Sequence, residues 1–207
     1  MITHRKHPRV VGIAAATVVG LWSTFALALP RAHPAAGAAA SGQGGSGGAP
    51  AAPKKAPSAN APFSPADLEL LKTLHATNQV EMKVGKMARD RAGTDAVKSF
   101  AQKVMGDHAA EEKKLTIFLK KRGMRVNALG PVPTDIPAEH LAYKGKTGAA
   151  YDHAFAGQMA ADYEKAIALV ERQLKEASDD TVRVLLNQSL PTLRVLLATA
   201  QVLDKED

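Results

Sequence analysis

The sequence predicts an all-α protein built around a four-helix bundle. The 207-residue chain is 45% hydrophobic but only 4% aromatic, which is typical of helices packed through small and aliphatic side chains. Four long segments repeat apolar residues at steps of three and four, the spacing of one helix face. A proline-containing stretch separates the second segment from the third, so the bundle has one long connection.

The N-terminus has the pattern of a secretory signal peptide. A basic start, residues 4–9, precedes an apolar run that ends in the small residues Ala26 and Ala28, the −3 and −1 positions of a cleavage site. We expect residues 1–28 to be removed and the mature protein to be periplasmic or secreted. The alternative is an uncleaved membrane anchor, because residues 10–29 are long enough to span a bilayer.

Residues 29–62 are expected to form a disordered linker. They are rich in Ala, Gly, Pro and Ser and include the segment SGQGGSGG. Such a composition buries too little apolar surface to offset the entropy lost on ordering. We expect the linker to hold the folded domain, residues 63–207, away from a membrane or cell wall.

The folded domain begins with two helices that form an antiparallel hairpin. Ser64 is the expected N-cap and Pro65 the first residue of the first helix, which ends near Gly93. Thr94 is the expected N-cap of the second helix, which ends at Gly123. The turn between them is so short that the two helices must run antiparallel.

The connection between the second and third helices predicts a ferritin-like arrangement. Residues 123–148 include Pro131, Pro133 and Pro137, which no continuous helix tolerates. The second helix is about 42 Å long at 1.5 Å per residue, and the extended connection can cover that length. We therefore expect it to cross the bundle, so that the third helix runs parallel to the second. An up-down bundle with a loose loop is the alternative.

Polar residues fall on the inward stripes of these helices, near their middle. His108 lies on the apolar stripe of the second helix, where a core residue is expected. Carboxylates and imidazole that converge inside a bundle can bind a divalent metal such as iron, zinc or manganese. The candidate ligands are Glu81, Asp107, His108, Glu111 and Asp162.

A second interpretation of the same polar layer needs no metal. A di-iron carboxylate bundle uses Glu-x-x-His on two helices, and no Glu in this chain has a His three residues later. A single buried His is more often held by hydrogen bonds, so we expect His108 to bond within the layer, opposite Glu81. His75, His140 and His153 fall off the stripes and are expected at the surface.

Other functional classes receive little support. The chain has no Cys, which excludes disulfides and thiolate chemistry. Its net charge of +7 is spread over every helix without an aromatic platform, so nucleic-acid binding is not expected. The sequence lacks a Gly-rich phosphate loop and a Ser nucleophile motif. Catalysis in the bundle core would need a pocket beside Asp162 and Tyr163.

Several motifs are similar to those of an exported bacterial family. They are Glu81-x3-Gly85-x2-Ala88, Val97-x2-Phe100-Ala101-x3-Met105-x-Asp107-His108, Tyr151-Asp152-x2-Phe155-x3-Met159-x2-Asp162 and Leu190-Pro191-x-Leu193. Residues 63–204 thus resemble the ferritin-like domain of unknown function 4142. The resemblance implies an envelope four-helix bundle of unassigned activity.

The chain departs from that family pattern at two positions. The resemblance implies a His after the Asp of the third helix, where this chain has Tyr163, and a His in the fourth helix, where it has Leu196. Of three expected imidazoles only His108 is present. The resemblance therefore supports the fold and weakens the metal hypothesis.

These observations together predict a non-enzymatic envelope protein without a cofactor, acting as an interaction or stress-related module on an unidentified envelope protein or surface. Membrane contact is expected only through residues 10–29, if they are not cleaved. The alternative is a divalent-metal-binding ferritin-like protein with a reduced carboxylate and histidine site.

Overall fold

The computed structural model describes residues 62–206. The predicted signal peptide or anchor, and all but the last residue of the predicted linker, lie outside the described residues. The described part of the chain is helical, which confirms the predicted class, and none of its helices is long and apolar enough to cross a membrane. The elements are α1 (Pro65–Arg89), α2 (Asp95–Lys121), a 3-10 turn (Val126–Leu129), α3 (Ala138–Leu141), α4 (Gly148–Glu176) and α5 (Asp180–Leu203).

The helix starts agree with the caps expected from the sequence. Ser64 accepts a hydrogen bond from the backbone N–H of Asp67, and its hydroxyl donates to the Asp67 carboxylate at 2.7 Å. Thr94 accepts from the backbone N–H of Val97. The Asp179 side chain caps α5 in the same way. Each cap satisfies a backbone donor that has no partner within the first turn of its helix.

The long connection crosses the bundle, as the sequence predicts. At one end, the carboxylate of Asp152 in α4 accepts from the backbone N–H groups of Gly93 and Thr94, just before α2, both at 2.8 Å. At the other end, Arg122, just after α2, donates to Asp179, just after α4, at 2.7 Å. Helices α2 and α4 therefore start at one end and finish at the other, so they are parallel in the ferritin-like manner.

The core is formed where the α1–α2 hairpin packs on the α4–α5 hairpin. Close packing is most evident between α1 and α2, where a Cβ added to Gly85 would lie 2.9 Å from the carbonyl oxygen of Ala101. Aromatic rings fill one end of the core: Phe100 and Phe155 have centroids 5.8 Å apart. The two hairpins thus meet around an interior in which small and large residues interlock.

Candidate metal centre

Three buried side chains from different elements converge in the middle of the bundle. They are Glu81 of α1, His140 of α3 and Asp162 of α4, which are 4%, 2% and 3% exposed. Each offers one ligand atom, and these atoms all lie within 4.8 Å of one another. One imidazole and two carboxylates form a mixed nitrogen and oxygen ligand set that suits zinc, manganese or iron(II).

The crossing connection brings His140 to this cluster. Two hydrogen bonds tie the connection to α1 and to the turn that follows α1, one on either side of α3. Lys83 Nζ donates to the carbonyl oxygen of Pro133 at 2.7 Å, and Arg91 donates to that of Lys144 at 2.9 Å. Helix α3 is thereby held against the bundle, and His140 points into it.

Both ring nitrogens of His140 have partners. Nδ1 lies 2.7 Å from the Tyr143 hydroxyl, and Nε2 lies 3.2 Å from Asp162 Oδ2. Burial disfavours the charged ring, but the hydrogen bond to Asp162 and the negative charge of Glu81 outweigh burial and raise the pKa of His140. Tyr143 orients the ring, as an outer partner does for a metal-ligating histidine.

Glu81 is the least satisfied member of the cluster. Burial raises its pKa to about 7, with His140 opposing the rise and the charge of Asp162 adding to it. Its Oε2 atom is buried and has no hydrogen-bond partner among the described residues. A buried polar atom of this kind is costly. A cation bound between Glu81, His140 and Asp162 would supply the missing partner.

Asp162, by contrast, is held in place by its own helix and by α3. Gln158, one turn earlier on α4, donates to both carboxylate oxygens at 3.0 and 3.1 Å. Lys165 lies 3.6 Å from Oδ1. His140 is a further partner, so the orientation of the Asp162 carboxylate is fixed before any metal binds. In metal sites, hydrogen bonds from surrounding residues orient the ligands in this way.

The structure brings only some of the predicted metal ligands into the cluster. Glu81 and Asp162 belong to the cluster. His108 and Glu111 lie on other walls of an adjoining cavity, which Glu81 and Asp162 also line. Asp107 is half-buried and pairs at 3.0 Å with a lysine one turn earlier on α2.

His108 is buried on the inward face of α2, and its hydrogen bonding within the polar layer is confirmed. Its Nδ1 lies 3.1 Å from Asn78 Oδ1, and the Asn78 amide donates to Glu112 at 3.3 Å. Because a carboxylate only accepts, Asn78 turns its carbonyl toward His108, whose Nδ1 must then donate. Nε2 therefore carries the lone pair, 3.5 Å from the Tyr163 hydroxyl. Burial lowers the pKa of His108 to about 4, against the charge of Asp107.

The prediction that His140 lies at the surface is wrong. The residue belongs to a four-residue helix in the crossing connection, and periodic stripes in long helices give no information about such a segment. The neighbouring Pro137 and Tyr143 were the signals of a packed turn at this place. His153 is exposed, as predicted. His75 is partly buried, with Nδ1 2.7 Å from Glu112 Oε1.

A cavity of about 40 Å³ adjoins the cluster and is lined by both Asp162 and Tyr163. It is the kind of pocket that a catalytic interpretation of the sequence required at this place. Most of the remaining lining is aliphatic and comes from all four long helices, including Leu74, Leu115 and Leu193.

The fold and the cluster together define a ferritin-like four-helix bundle with a carboxylate and histidine centre in its interior. The chain belongs to the family described as domain of unknown function (DUF4142), whose model matches residues 52–203. No curated protein matches the sequence.

Two solved structures share the fold. One is a DUF305 fragment from Deinococcus radiodurans, with a TM-score of 0.59 and 16% identity, covering 70% of this chain and 100% of that chain. The other is a putative spore coat protein from Bacillus halodurans C-125, with a TM-score of 0.56 and 16% identity, covering 70% of this chain and 89% of that chain. At this identity the likeness concerns the fold alone.

Proposed function

We propose that the protein binds one divalent transition-metal ion inside the bundle, through Glu81, His140 and Asp162. The observation that carries this proposal is the convergence of three buried ligand atoms within 4.8 Å of one another. The unpartnered Glu81 Oε2 supports it independently. A bundle that needed no ligand here could bury an apolar side chain in place of Glu81 at lower cost.

Charge balance favours a divalent ion. Two carboxylates and one neutral imidazole around a divalent cation make a centre with no net charge, which a buried site can hold. Without metal, the site retains protons instead, because the pKa values of Glu81 and His140 are both raised. Metal binding then displaces protons from the site.

Tyr143 has a defined part in this exchange. When the metal takes the lone pair on His140 Nε2, the ring proton must reside on Nδ1. The Tyr143 hydroxyl, 2.7 Å from Nδ1, can accept a hydrogen bond from it in that state. Three protein ligands leave at least one coordination position for an external ligand.

Metal titration of the purified full chain tests the proposal. The protein is stripped with a chelator and titrated calorimetrically with Zn²⁺ and Mn²⁺ in buffers of different ionisation enthalpy. We expect one equivalent to bind with release of protons, and His140→Ala to abolish that binding. His153→Ala, an exposed histidine, is the matched control.

His108→Leu separates the two possible ligand sets. His108 lies outside the cluster, so this variant should still bind one equivalent of metal. Loss of binding in His108→Leu but not in His140→Ala would show that the wrong histidine has been assigned. The absence of stoichiometric binding by the unaltered protein would refute the proposal altogether.

We further propose that the protein acts outside the cytoplasm. The support is the basic start and apolar run of residues 4–28, with small residues at the expected cleavage site. Cell fractionation tests it, and recovery of the protein from the cytoplasm alone would refute it. Mass spectrometry of the exported protein then decides the fate of the segment: an N-terminus at Leu29 means cleavage, and an intact 10–29 segment means an anchor. A role as an interaction or stress-related module stays a prediction from the sequence.

A further inference from the structure

We propose that the cavity beside the cluster binds a neutral molecule of two or three heavy atoms that donates a hydrogen bond, the class of hydroxylamine and hydrogen peroxide. The molecule would lie between the metal and His108 Nε2. This inference rests on the proposed metal site, because the metal supplies one of the two polar contacts.

The position of the cavity relative to the ligands is the first argument. Glu81 and Asp162 line this cavity, and both also line a second, smaller cavity. His140 lines only the second one. The two carboxylates therefore lie between the larger cavity and the smaller one. The face of the cluster away from His140 opens into the larger cavity. An open coordination position on that face is accessible only to a molecule in this cavity.

The size of the cavity limits its occupant. Its volume is about 40 Å³, and a single buried water needs roughly 10–15 Å³ on this measure. The space therefore admits about three water-sized groups. A larger organic substrate exceeds this volume.

Charge decides between a neutral and an anionic occupant. A divalent ion with the Glu81 and Asp162 carboxylates is already balanced. The described lining of the cavity contains no Lys or Arg, so an additional anion would be buried without a counter-charge, which is strongly unfavourable. Glu111 adds a carboxylate to the wall and is itself held by the Ser189 hydroxyl at 2.7 Å and by Lys114 at 2.7 Å. Neutral molecules are therefore selected.

His108 determines the hydrogen-bonding character of the occupant. Through Asn78 and Glu112 its Nδ1 is fixed as a donor, so Nε2 carries the lone pair, and His108 is one of the residues that line the cavity. The Tyr163 hydroxyl is 3.5 Å from Nε2, a weak contact at this distance. A molecule in the cavity that donates a hydrogen can make a stronger bond to Nε2 than Tyr163 does.

The experiment uses the full chain loaded with Co²⁺, whose visible spectrum reports its coordination. Hydroxylamine is the neutral probe, and azide is the anionic probe of similar size. Four proteins are titrated: wild type, His108→Leu, Ala166→Leu, which fills the cavity wall, and Ala198→Leu on the exposed face of α5. Cobalt content and circular dichroism confirm that each variant is folded and loaded.

We expect hydroxylamine to shift the wild-type spectrum saturably and azide to have no effect. Binding should be about tenfold weaker in His108→Leu, the value of one lost hydrogen bond. It should be absent in Ala166→Leu and unchanged in Ala198→Leu. Three results would overturn the inference: no spectral change when hydroxylamine is added to the cobalt-loaded wild type, binding of azide to that protein, or unchanged hydroxylamine binding in Ala166→Leu. Failure to load cobalt at all would instead refute the metal site.

Discussion

Replacing Glu81 by Gln tests the energetic argument for the buried centre. The pKa of Glu81 is raised by burial from 4.5 to about 7. Between these two values the folded protein holds a proton that the unfolded chain has released, so stability falls as pH rises through this range. One pKa unit corresponds to about 1.4 kcal/mol. The ionised carboxylate therefore destabilises the metal-free fold by about 3 kcal/mol at pH 8.

Glutamine imitates the protonated carboxyl group in shape and lacks its charge. In the presence of a chelator, the free energies of unfolding of Glu81→Gln and wild type should differ by less than about 1 kcal/mol at pH 5. At pH 8 the variant should be the more stable by about 3 kcal/mol. Urea unfolding at both pH values measures this difference. Glu69→Gln, an exposed position on the same helix, is the matched control.

The comparison must be made between variants because another buried group acts in the opposite direction. The pKa of His108 is lowered by burial to about 4, so the folded state lacks a proton that the unfolded chain holds between about pH 4 and 6.5. Stability then falls as pH falls. The reasoning fails if Glu81→Gln shifts stability equally at pH 5 and 8, since the carboxylate would then be ionised and satisfied throughout. Saturating metal should reverse the order and make wild type the more stable.

Three further predictions concern the packing that positions the site. Gly85→Ala should destabilise by about 1–3 kcal/mol through overpacking because its Cβ would lie 2.9 Å from a carbonyl oxygen of α2. A Cβ added to Gly106 would have no atom within 4 Å, so Gly106→Ala should stabilise by about 0.5–1 kcal/mol. Equal changes in the free energy of unfolding for the two variants in urea would contradict the close packing of α1 on α2. His108→Leu should keep the helical circular dichroism and lose the acid destabilisation between pH 6.5 and 4. Unfolding of this variant would show that His108 is needed for the stability of the bundle. Asp152→Ala, which removes acceptors for two backbone N–H groups before α2, should cost about 2–4 kcal/mol in thermal unfolding, and a neutral result would remove this contact from the account of the crossover.

The inward position of most site residues was predictable from periodicity. Asn78, Glu81, His108 and Asp162 fall on the apolar stripes of long helices, and all four are buried. A period of 3.6 residues fixes which face a residue shares with its neighbours. The stripe therefore identifies a buried polar residue without any knowledge of the fold.

His140 could not be found in this way. It lies on α3, which is a four-residue helix between prolines and α4, and one turn is too short to define a face. Its burial depends on hydrogen bonds that tie the connection to Lys83 of α1 and to Arg91 in the turn after α1. Those contacts join residues about fifty positions apart in the chain, and no local pattern reports them.

The sequence by itself determined the four helices, the caps of α1 and α2, a connection long enough to cross the bundle, and the polar character of the bundle interior. These follow from local propensities and from chain length, which act over a few residues at a time. Only the tertiary structure decided that Glu81 and Asp162 meet His140, while His108 faces them across a cavity. The physical reason is that ligand geometry depends on the relative height and rotation of packed helices and on where the connection is held. Those quantities are set by contacts between distant segments, not by the period of any one helix.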